Sequence, residues 1–332
     1  MISSLDRSRI FVLLVLAALA LLPIVATIGG EEFYIGQFRR ILIFAIAAIS
    51  LDLILGYGGM VSLGHAAFLG AGAYVVAILV HHASEETRFL GFIPGTFEPL
   101  IAWPAAMLVS AALAFFIGLV SLRTSGVYFI MSTLAFAQMV YYVFVSWRAY
   151  GGDDGLRFRG GDTLAGFIDL GNDVVFYYVV FAVLLGVLYL GQRLVKSRFG
   201  RVIEGCRENE RRMRALGFPT YRYKLTAFTL AGAVAGLAGA LFATQESYIS
   251  PSIMHWTRSG DLIIMVILGG MGTLYGPLVG AVVFMLMEKF LPDYTQHWQI
   301  VFGPILVLIV LFARRGVFGW LLPARPGGGG HG

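Results

Sequence analysis

The 332-residue chain is 58% hydrophobic and only 13% charged, against roughly 25% charged residues in an ordinary soluble domain. Its mean hydropathy is +0.81, so a soluble globule of this size, which needs a charged surface, is excluded. The net charge of +5 lies in a few short loops between apolar runs, which is the positive-inside pattern of a membrane protein rather than a nucleic-acid surface. The single cysteine, Cys206, excludes an intrachain disulfide framework and any all-cysteine metal site.

A hydrocarbon core takes roughly 20 apolar residues of helix. Arg7 and Arg9 precede the apolar run 10–28, which exceeds the roughly 7–15 residues of a signal-peptide core and reads as a retained first span. Further spans are expected at 41–57, 60–80, 99–122, 127–147, 174–192, 224–243 and 297–313. The stretch 261–290 is too long for one span and is broken by Gly269, Gly270, Gly272, Gly276 and Pro277. It reads as two short elements, 261–270 and 276–290. The expected fold is therefore an all-α, polytopic transmembrane bundle of about ten elements, some of them broken or half helices. A single transmembrane domain would cover 1–322, and the Pro/Gly-rich tail 323–332 is expected to be disordered.

The loop 193–224 carries ten basic residues (Arg193, Lys196, Arg198, Arg201, Arg207, Arg211, Arg212, Arg214, Arg222 and Lys224) against Glu204, Glu208 and Glu210. That bias makes it cytoplasmic. Arg7 and Arg9 place the N-terminus inside, and Arg314, Arg315 and Arg325 do the same for the C-terminus. Loops 81–98 and 148–173 hold more acids than bases and fall outside. Two inside termini require an even number of crossings, which ten elements satisfy. Against this scheme stand Arg39 and Arg40, placed near the outer face.

Glycine-rich interruptions at 56–64 and 269–277 break the apolar runs. Irregular backbone at membrane depth survives only where protein buries it or where it lines a wet cavity. Paired interruptions point to a transport path, or else to two tight turns. Asp52 and His65 are ionisable residues in or beside spans, and such residues are functional candidates by default. Asp52 alternatively serves a helix contact, and His65 alternatively stays neutral and bonds a backbone carbonyl. Ser62, Gln138, Gly269, Gly270 and Gly272 complete the candidate path, with Gln138 alternatively a hydrogen bond between helices. Gly232 and Gly236, Gly276 and Gly280, and the series Ala231, Ala235, Gly239 repeat every four residues, the spacing that lets helices pack closely in lipid. His81 and His82 read as a solvated pair.

Other chemistry is missing. The three lysines (196, 224 and 289) do not follow a glycine, so there is no phosphate-binding G-x-x-x-x-G-K-[ST] loop. No H-E-x-x-H or G-x-S-x-G occurs, and nothing in the sequence suggests an enzyme, a metal site or a bound cofactor. Residues 202–216 read as a short helix with Val202, Cys206, Met213 and Leu216 near one face, stopped by Gly217 and Pro219. It serves either as an interfacial helix on anionic lipid or as a docking helix for a cytoplasmic partner. A secondary transporter or a channel for a small polar solute remains the alternative to a partner-driven one.

Four stretches then carry a resemblance: Gly-Tyr-Gly-Gly-Met-Val-Ser-Leu-Gly-His-Ala-Ala-Phe at 56–68; Gly-Val-Tyr-Phe-Ile-Met-Ser-Thr-Leu-Ala-Phe-Ala-Gln at 126–138 with Gly-Gly-Asp-Asp-Gly-Leu at 151–156; Gly200-Arg through Tyr223-Lys; and Gly-Gly-Met-Gly-Thr-Leu-Tyr-Gly-Pro at 269–277. Together they resemble the permease subunits of bacterial branched-chain amino acid ABC transporters, in the LivM-like branch. The resemblance implies a multi-pass protein of the bacterial inner membrane that works with a second permease subunit, two cytoplasmic ATPases and a periplasmic binding protein. ATP and Mg would sit on the ATPases, not on this chain. It also implies that 202–217 is the coupling helix, with Glu204, Arg207, Glu208, Asn209, Arg211, Met213, Leu216 and Gly217 facing the ATPase. The family often carries Asn where Asp52 stands, and Arg211, Arg212 and Arg214 make this coupling helix unusually basic. The substrate is expected to be a branched-chain amino acid or a related solute such as another amino acid, urea or a short amide.

Overall fold

A computed structural model of the protein describes residues 4–307, apart from 31–32, 90, 92, 159–162, 165–167, 295–296, 298–299, 301 and 305–306. Ten helices carry most of the described chain: α1 (Ser4–Ile28), α2 (Phe33–Asp52), α3 (His65–Ser84), α4 (Pro99–Ser121), α5 (Val127–Ser146), α6 (Asp173–Lys196), α7 (Arg198–Ala215), α8 (Thr220–Glu246), α9 (Trp256–Gly269) and α10 (Gly276–Tyr294). Six of them, α1, α3, α4, α5, α6 and α8, are long and apolar enough to cross a membrane. The expected span 297–313 and the tail 323–332 lie largely or wholly outside the described residues.

The centre of the bundle is α2, α3 and α8. From Ile41 to Asp52 every residue of α2 is buried, as suits a helix apolar on all sides. α8 packs along α3 and α4, and α2 is flanked by α6, α8, α9 and α10. The outer helices α1 and α5 stay mostly uncovered by the rest of the chain although they are apolar. Water would not tolerate such faces, so they belong against lipid or another subunit.

Short contacts fix which helix ends lie together. At one end, Arg39 of α2 pairs with Asp173 of α6 at 2.8 Å, Gln245 of α8 donates to the Gly36 carbonyl at 3.2 Å, and the Trp103 indole of α4 donates to Thr244 at 3.2 Å. Three two-stranded antiparallel ribbons cap this end, among them Leu156–Arg157 against Tyr248–Ile249. At the opposite end the Tyr221 hydroxyl donates to the Leu119 carbonyl at 2.8 Å, and the polar helix α7 lies across α6 and α8.

Several boundaries differ from the sequence expectation. α2 starts at Phe33, so Arg39 and Arg40 lie inside a helix rather than before one. The Asp173 carboxylate meets the Arg39 charge, which lets it sit where the charge rule disfavours it. The expected helix 60–80 starts only at His65, because 58–64 is irregular. The basic loop is shorter than 193–224: α6 runs to Lys196, the Ser197 hydroxyl accepts from Gly200 N–H to start α7, and α8 begins at Thr220. The short helix expected over 202–216 starts earlier, at Arg198, and it is broken at Asn209 (φ −155°, ψ 95°). There the Asn209 side chain accepts from Arg212 N–H at 2.9 Å and begins a second short helical piece.

Candidate functional site

Two backbone turns that are far apart in sequence meet at the α7 end of the bundle. The first follows α2, which tightens into a π-helical turn over Leu53–Tyr57 before the chain turns at Gly58 and Gly59. The second joins α9 to α10 through Gly270 and Gly272, whose φ angles of 118° and 71° suit glycine far better than any residue with a Cβ. Asp52, at the end of α2, is buried, and its Oδ1 accepts from Gly272 N–H at 2.9 Å. Its Oδ2 is buried with no hydrogen-bond partner among the described residues. Gly56 lies so close to both that a Cβ there would overlap the Asp52 carboxylate and the Gly272 nitrogen.

Arg207 of α7 closes this junction. Its guanidinium donates to the Gly56 carbonyl, its aliphatic stem runs over Gly59, and a Cβ on Gly272 would stand 3.3 Å from its Nη1. One side chain of the polar helix therefore touches both turns. A carboxylate, two turns and an arginine thus form a single connected unit between α7 and the helices α2, α9 and α10.

A second cluster lies deeper. His65, the first residue of α3, is fully buried, and its Nε2 lies 2.7 Å from the Ser50 hydroxyl. That hydroxyl gives its one proton to the Ala47 carbonyl at 2.7 Å, so it accepts from Nε2–H, and the tautomer follows. The partner is thus a hydroxyl on α2, not the backbone carbonyl expected from the sequence. Ser62 is buried and accepts from Gly64 N–H at 3.2 Å, shaping the turn into α3. The Ser259 hydroxyl of α9 accepts from Ala66 N–H at 2.9 Å, satisfying one of the free donors at the α3 N-terminus. Met254, just before α9, packs on Gly70 of α3. The starts of α3 and α9 therefore converge inside the bundle.

The remaining candidates are dispersed. Gln138 lies on the uncovered side of α5, in an open groove of about 720 Å³ with Met139, Tyr142 and Trp147, apart from the Asp52 junction. Gly269 abuts the Gly276 backbone, and Gly280 abuts the Met265 carbonyl, so the α9–α10 hairpin closes backbone to backbone. Gly232 and Gly236 face Ala114 and Ser110 of α4, and Gly239 faces the Leu69 carbonyl of α3.

On α7, Val202, Ile203 and Cys206 are buried, whereas Leu216, expected on the same apolar face, is 66% exposed beyond the helix end. Met213 packs back on Gly205, Glu208 and Arg211 are exposed, and Glu204 is half-buried. The break at Asn209 takes Arg211 off the helical run shared by Glu204, Arg207 and Glu208. Gly217, with φ 88°, ends the segment. Glu210 accepts from Arg214 at 2.6 Å, from Thr220 at 3.1 Å and from Lys224. Burial pushes its carboxyl up, but these donors and the two cations outweigh burial and hold it below the usual carboxylate range.

Ser50, Ser259 and Glu210 were not singled out from the sequence. Ser50 is the only hydroxyl in the run 41–51, a signal that was present. Ser259 and Glu210 carry no such mark. The pair His81–His82 is not simply solvated: His82 meets Thr87 at 2.6 Å and Tyr150 at 2.9 Å, and His81 lies 3.5 Å from Glu85.

The sequence profile of the family described as the permease component of the branched-chain amino acid transport system matches residues 34–311. The chain is 29% identical to the high-affinity branched-chain amino acid transport system permease protein LivM of Salmonella typhimurium, across 94% of this chain and 75% of that protein. It is 31% identical to LivM of Escherichia coli K12, across 83% and 68% of the two chains. The L-arabinose ABC transporter permease protein AraH of Azospirillum brasilense is 28% identical across 44% of this chain and 46% of its own length. No solved structure matches the chain. With most of its length inside the family profile and six membrane-capable apolar helices, the chain belongs to the branched-chain amino acid permease family of ABC transporters and is a multi-pass membrane protein.

Proposed function

We propose that this chain is one half of the transmembrane pathway of an ABC importer in a bacterial inner membrane. Branched-chain amino acids are the proposed substrates, as in the names of the two LivM relatives. The second permease subunit covers the exposed face of α5, two cytoplasmic ATPases supply the energy, and a periplasmic binding protein delivers the solute. Ten membrane elements with both termini in the cytoplasm put α7 on the ATPase side. The chain binds no nucleotide itself, which agrees with its lack of a phosphate-binding loop.

The observation that carries this reading is the reach of Arg207 from α7 to both backbone turns. In the proposed cycle, ATP-driven closure of the ATPases shifts α7. Arg207 passes that shift to the 56–59 and 270–272 turns, and α2, α9 and α10 re-pack to alternate access. A ligand-free coupling element of this kind must bias a two-state arrangement rather than bind solute.

The test is uptake of labelled leucine into vesicles that contain all subunits, with ATP hydrolysis measured in parallel. Arg207→Gln is expected to reduce uptake far more than basal ATP hydrolysis, because the ATPase contact on the outer face of α7 survives. Arg207→Lys restores only part, since one ammonium cannot span both turns. Unchanged uptake with Arg207→Gln would remove the coupling role. Competition by valine, isoleucine, urea and acetamide in the same vesicles assigns the substrate class.

A further inference from the structure

At the end of the bundle opposite α7, α2, α6 and α8 enclose a pocket of about 320 Å³ lined by Phe33, Gly36, Gln37, Arg40, Asp173, Gln245 and Glu246. Arg40 is the odd member. Its guanidinium stacks 5.9 Å from the Phe44 ring centroid and 5.6 Å from that of Phe242. Its Nε is buried without a partner, and among the described residues no carboxylate reaches it within salt-bridge distance. The neighbouring Arg39 is already paired with Asp173. Two aromatic rings thus flank a planar cation whose Nε has no hydrogen-bond partner among the described residues. That arrangement suits a bidentate oxyanion, phosphate above all.

The other polar groups want the opposite partner. Gln245 donates an amide N–H to the Gly36 carbonyl, and its Oε1 is buried without a hydrogen-bond partner among the described residues. Glu246 is exposed on the rim and pairs with no cation among the described residues. A ligand that answers both sets carries anionic oxygens and an ammonium group. Arg40 stands at the start of the apolar run of α2, where hydrocarbon gives way to headgroups. Further round α2, Tyr34 and Phe38 join Leu21, Leu22 and Val25 of α1 along an apolar groove of about 570 Å³. A free amino acid has no use for that groove; an acyl chain does.

We propose that this pocket is a structural binding site for a zwitterionic phospholipid of the ethanolamine class. Its phosphate lies on Arg40, its ammonium meets Gln245 Oε1 and Glu246, and one acyl chain follows the α1–α2 groove. The site is independent of which solute the protein moves.

The experiment is native mass spectrometry of the purified, delipidated complex, titrated with phosphatidylethanolamine, phosphatidylglycerol or free leucine. One phosphatidylethanolamine per chain is expected to bind before phosphatidylglycerol does. Arg40→Met should weaken it roughly tenfold, the scale of one lost charge-assisted contact. Glu246→Gln, a change on an exposed rim, should leave the fold intact and erase the preference for ethanolamine over glycerol headgroups. Equal affinity for the two lipids in the unaltered protein would overturn the proposal. So would unchanged binding in both variants, or displacement of the lipid by millimolar leucine. If Arg40→Met fails to assemble, the headgroup preference of Glu246→Gln alone decides.

Discussion

The carboxylate of Asp52 and the amide of Gly272 meet at 2.9 Å, joining residues on opposite sides of more than half the chain. Asp52 ends a helix that is buried all round, and Gly272 lies in a turn that only glycine-like angles permit. Among the described residues Asp52 Oδ2 has no hydrogen-bond partner, so the Oδ1 contact is the hydrogen bond through which this carboxylate seats the α9–α10 hairpin on α2.

Asp52→Asn should preserve the contact, because an amide oxygen accepts as a carboxylate does. The variant is expected to fold and transport close to the unaltered protein. Asp52→Leu leaves the half-buried Gly272 N–H without its acceptor, which costs up to about 1–3 kcal/mol. Thermal unfolding in detergent and leucine uptake in vesicles would separate the two. Loss of transport by Asp52→Asn with an unchanged melting temperature would instead place the charge itself in the path.

Gly56→Ala tests the same junction from the other side. The added methyl overlaps the Asp52 carboxylate and the Gly272 backbone, and overpacking of this kind costs typically 1–3 kcal/mol. The expected result is a lower melting temperature with α7 loosened from the turn. Gly36→Ala, where a Cβ would meet nothing within 4 Å, is the control and should be neutral.

Much of this architecture is legible in the amino-acid order because a lipid-embedded chain writes its helices as long apolar runs. Residues 99–122, 127–147 and 174–192 read nearly as they fold. The failures have physical causes. α2 begins before its apolar run because Asp173, far away in sequence, neutralises Arg39. α7 breaks at Asn209 because a side chain that caps a helix competes with the backbone in the middle of one. The Asp52 junction was half visible: both glycine-rich turns stood out, but that they touch, and that Arg207 touches both, depends on the packing of α2 against α9 and α10. Ser259 capping α3 left no trace, since a lone hydroxyl near a helix start has many ordinary uses.

That cap makes a separate prediction. Ser259→Ala removes the acceptor for Ala66 N–H at the start of α3, and loss of such a cap costs typically ~1 kcal/mol. Thr in place of Ser keeps the hydroxyl and should recover most of the loss. The comparison of Ser259→Ala with Ser259→Thr by thermal unfolding checks it, and equal destabilisation by both would mean that volume, not the hydrogen bond, matters there.

Glu210 gives a pH dependence. Burial raises its carboxyl, but Lys224, Arg214 and Thr220 more than offset that and hold it below the ordinary carboxylate value. A depressed folded-state value means that folding disfavours the proton. The contribution is therefore fully present above the unfolded carboxylate range, near pH 4–5, and fades as pH falls through the lower folded value. Spin labels at Arg211 and Arg222, in a background lacking Cys206, should report a narrow distance distribution at pH 7 that broadens only once the pH has fallen below the ordinary carboxylate range. Glu210→Gln should be broad at both pH values. A distribution that is narrow at pH 7 in that variant would show that the ion pairs do not hold α7 to α8.

The orientation of the bundle is the remaining link between α7 and an ATPase partner. The contacts between helix ends sort the loops into two groups. The described residues of loops 85–98 and 147–172 and the 247–250 segment share one end, and the 56–64, 122–126 and 270–275 turns share the other with α7. The basic excess lies on α7 and its flanks, so the positive-inside bias predicts a cytoplasmic position for that end. Single cysteines at Glu85, Asp154 and Arg212, introduced after Cys206→Ala, each sit on exposed positions and should not disturb packing. A membrane-impermeant maleimide applied to intact cells should label the first two and spare the third, which reacts only after the membrane is opened. If Arg212→Cys reacts from outside while Glu85→Cys is protected, the bundle is inverted, and α7 faces away from any cytoplasmic ATPase. Labelling of all three from outside would instead mean that the helices do not cross the membrane in the order that their end contacts require.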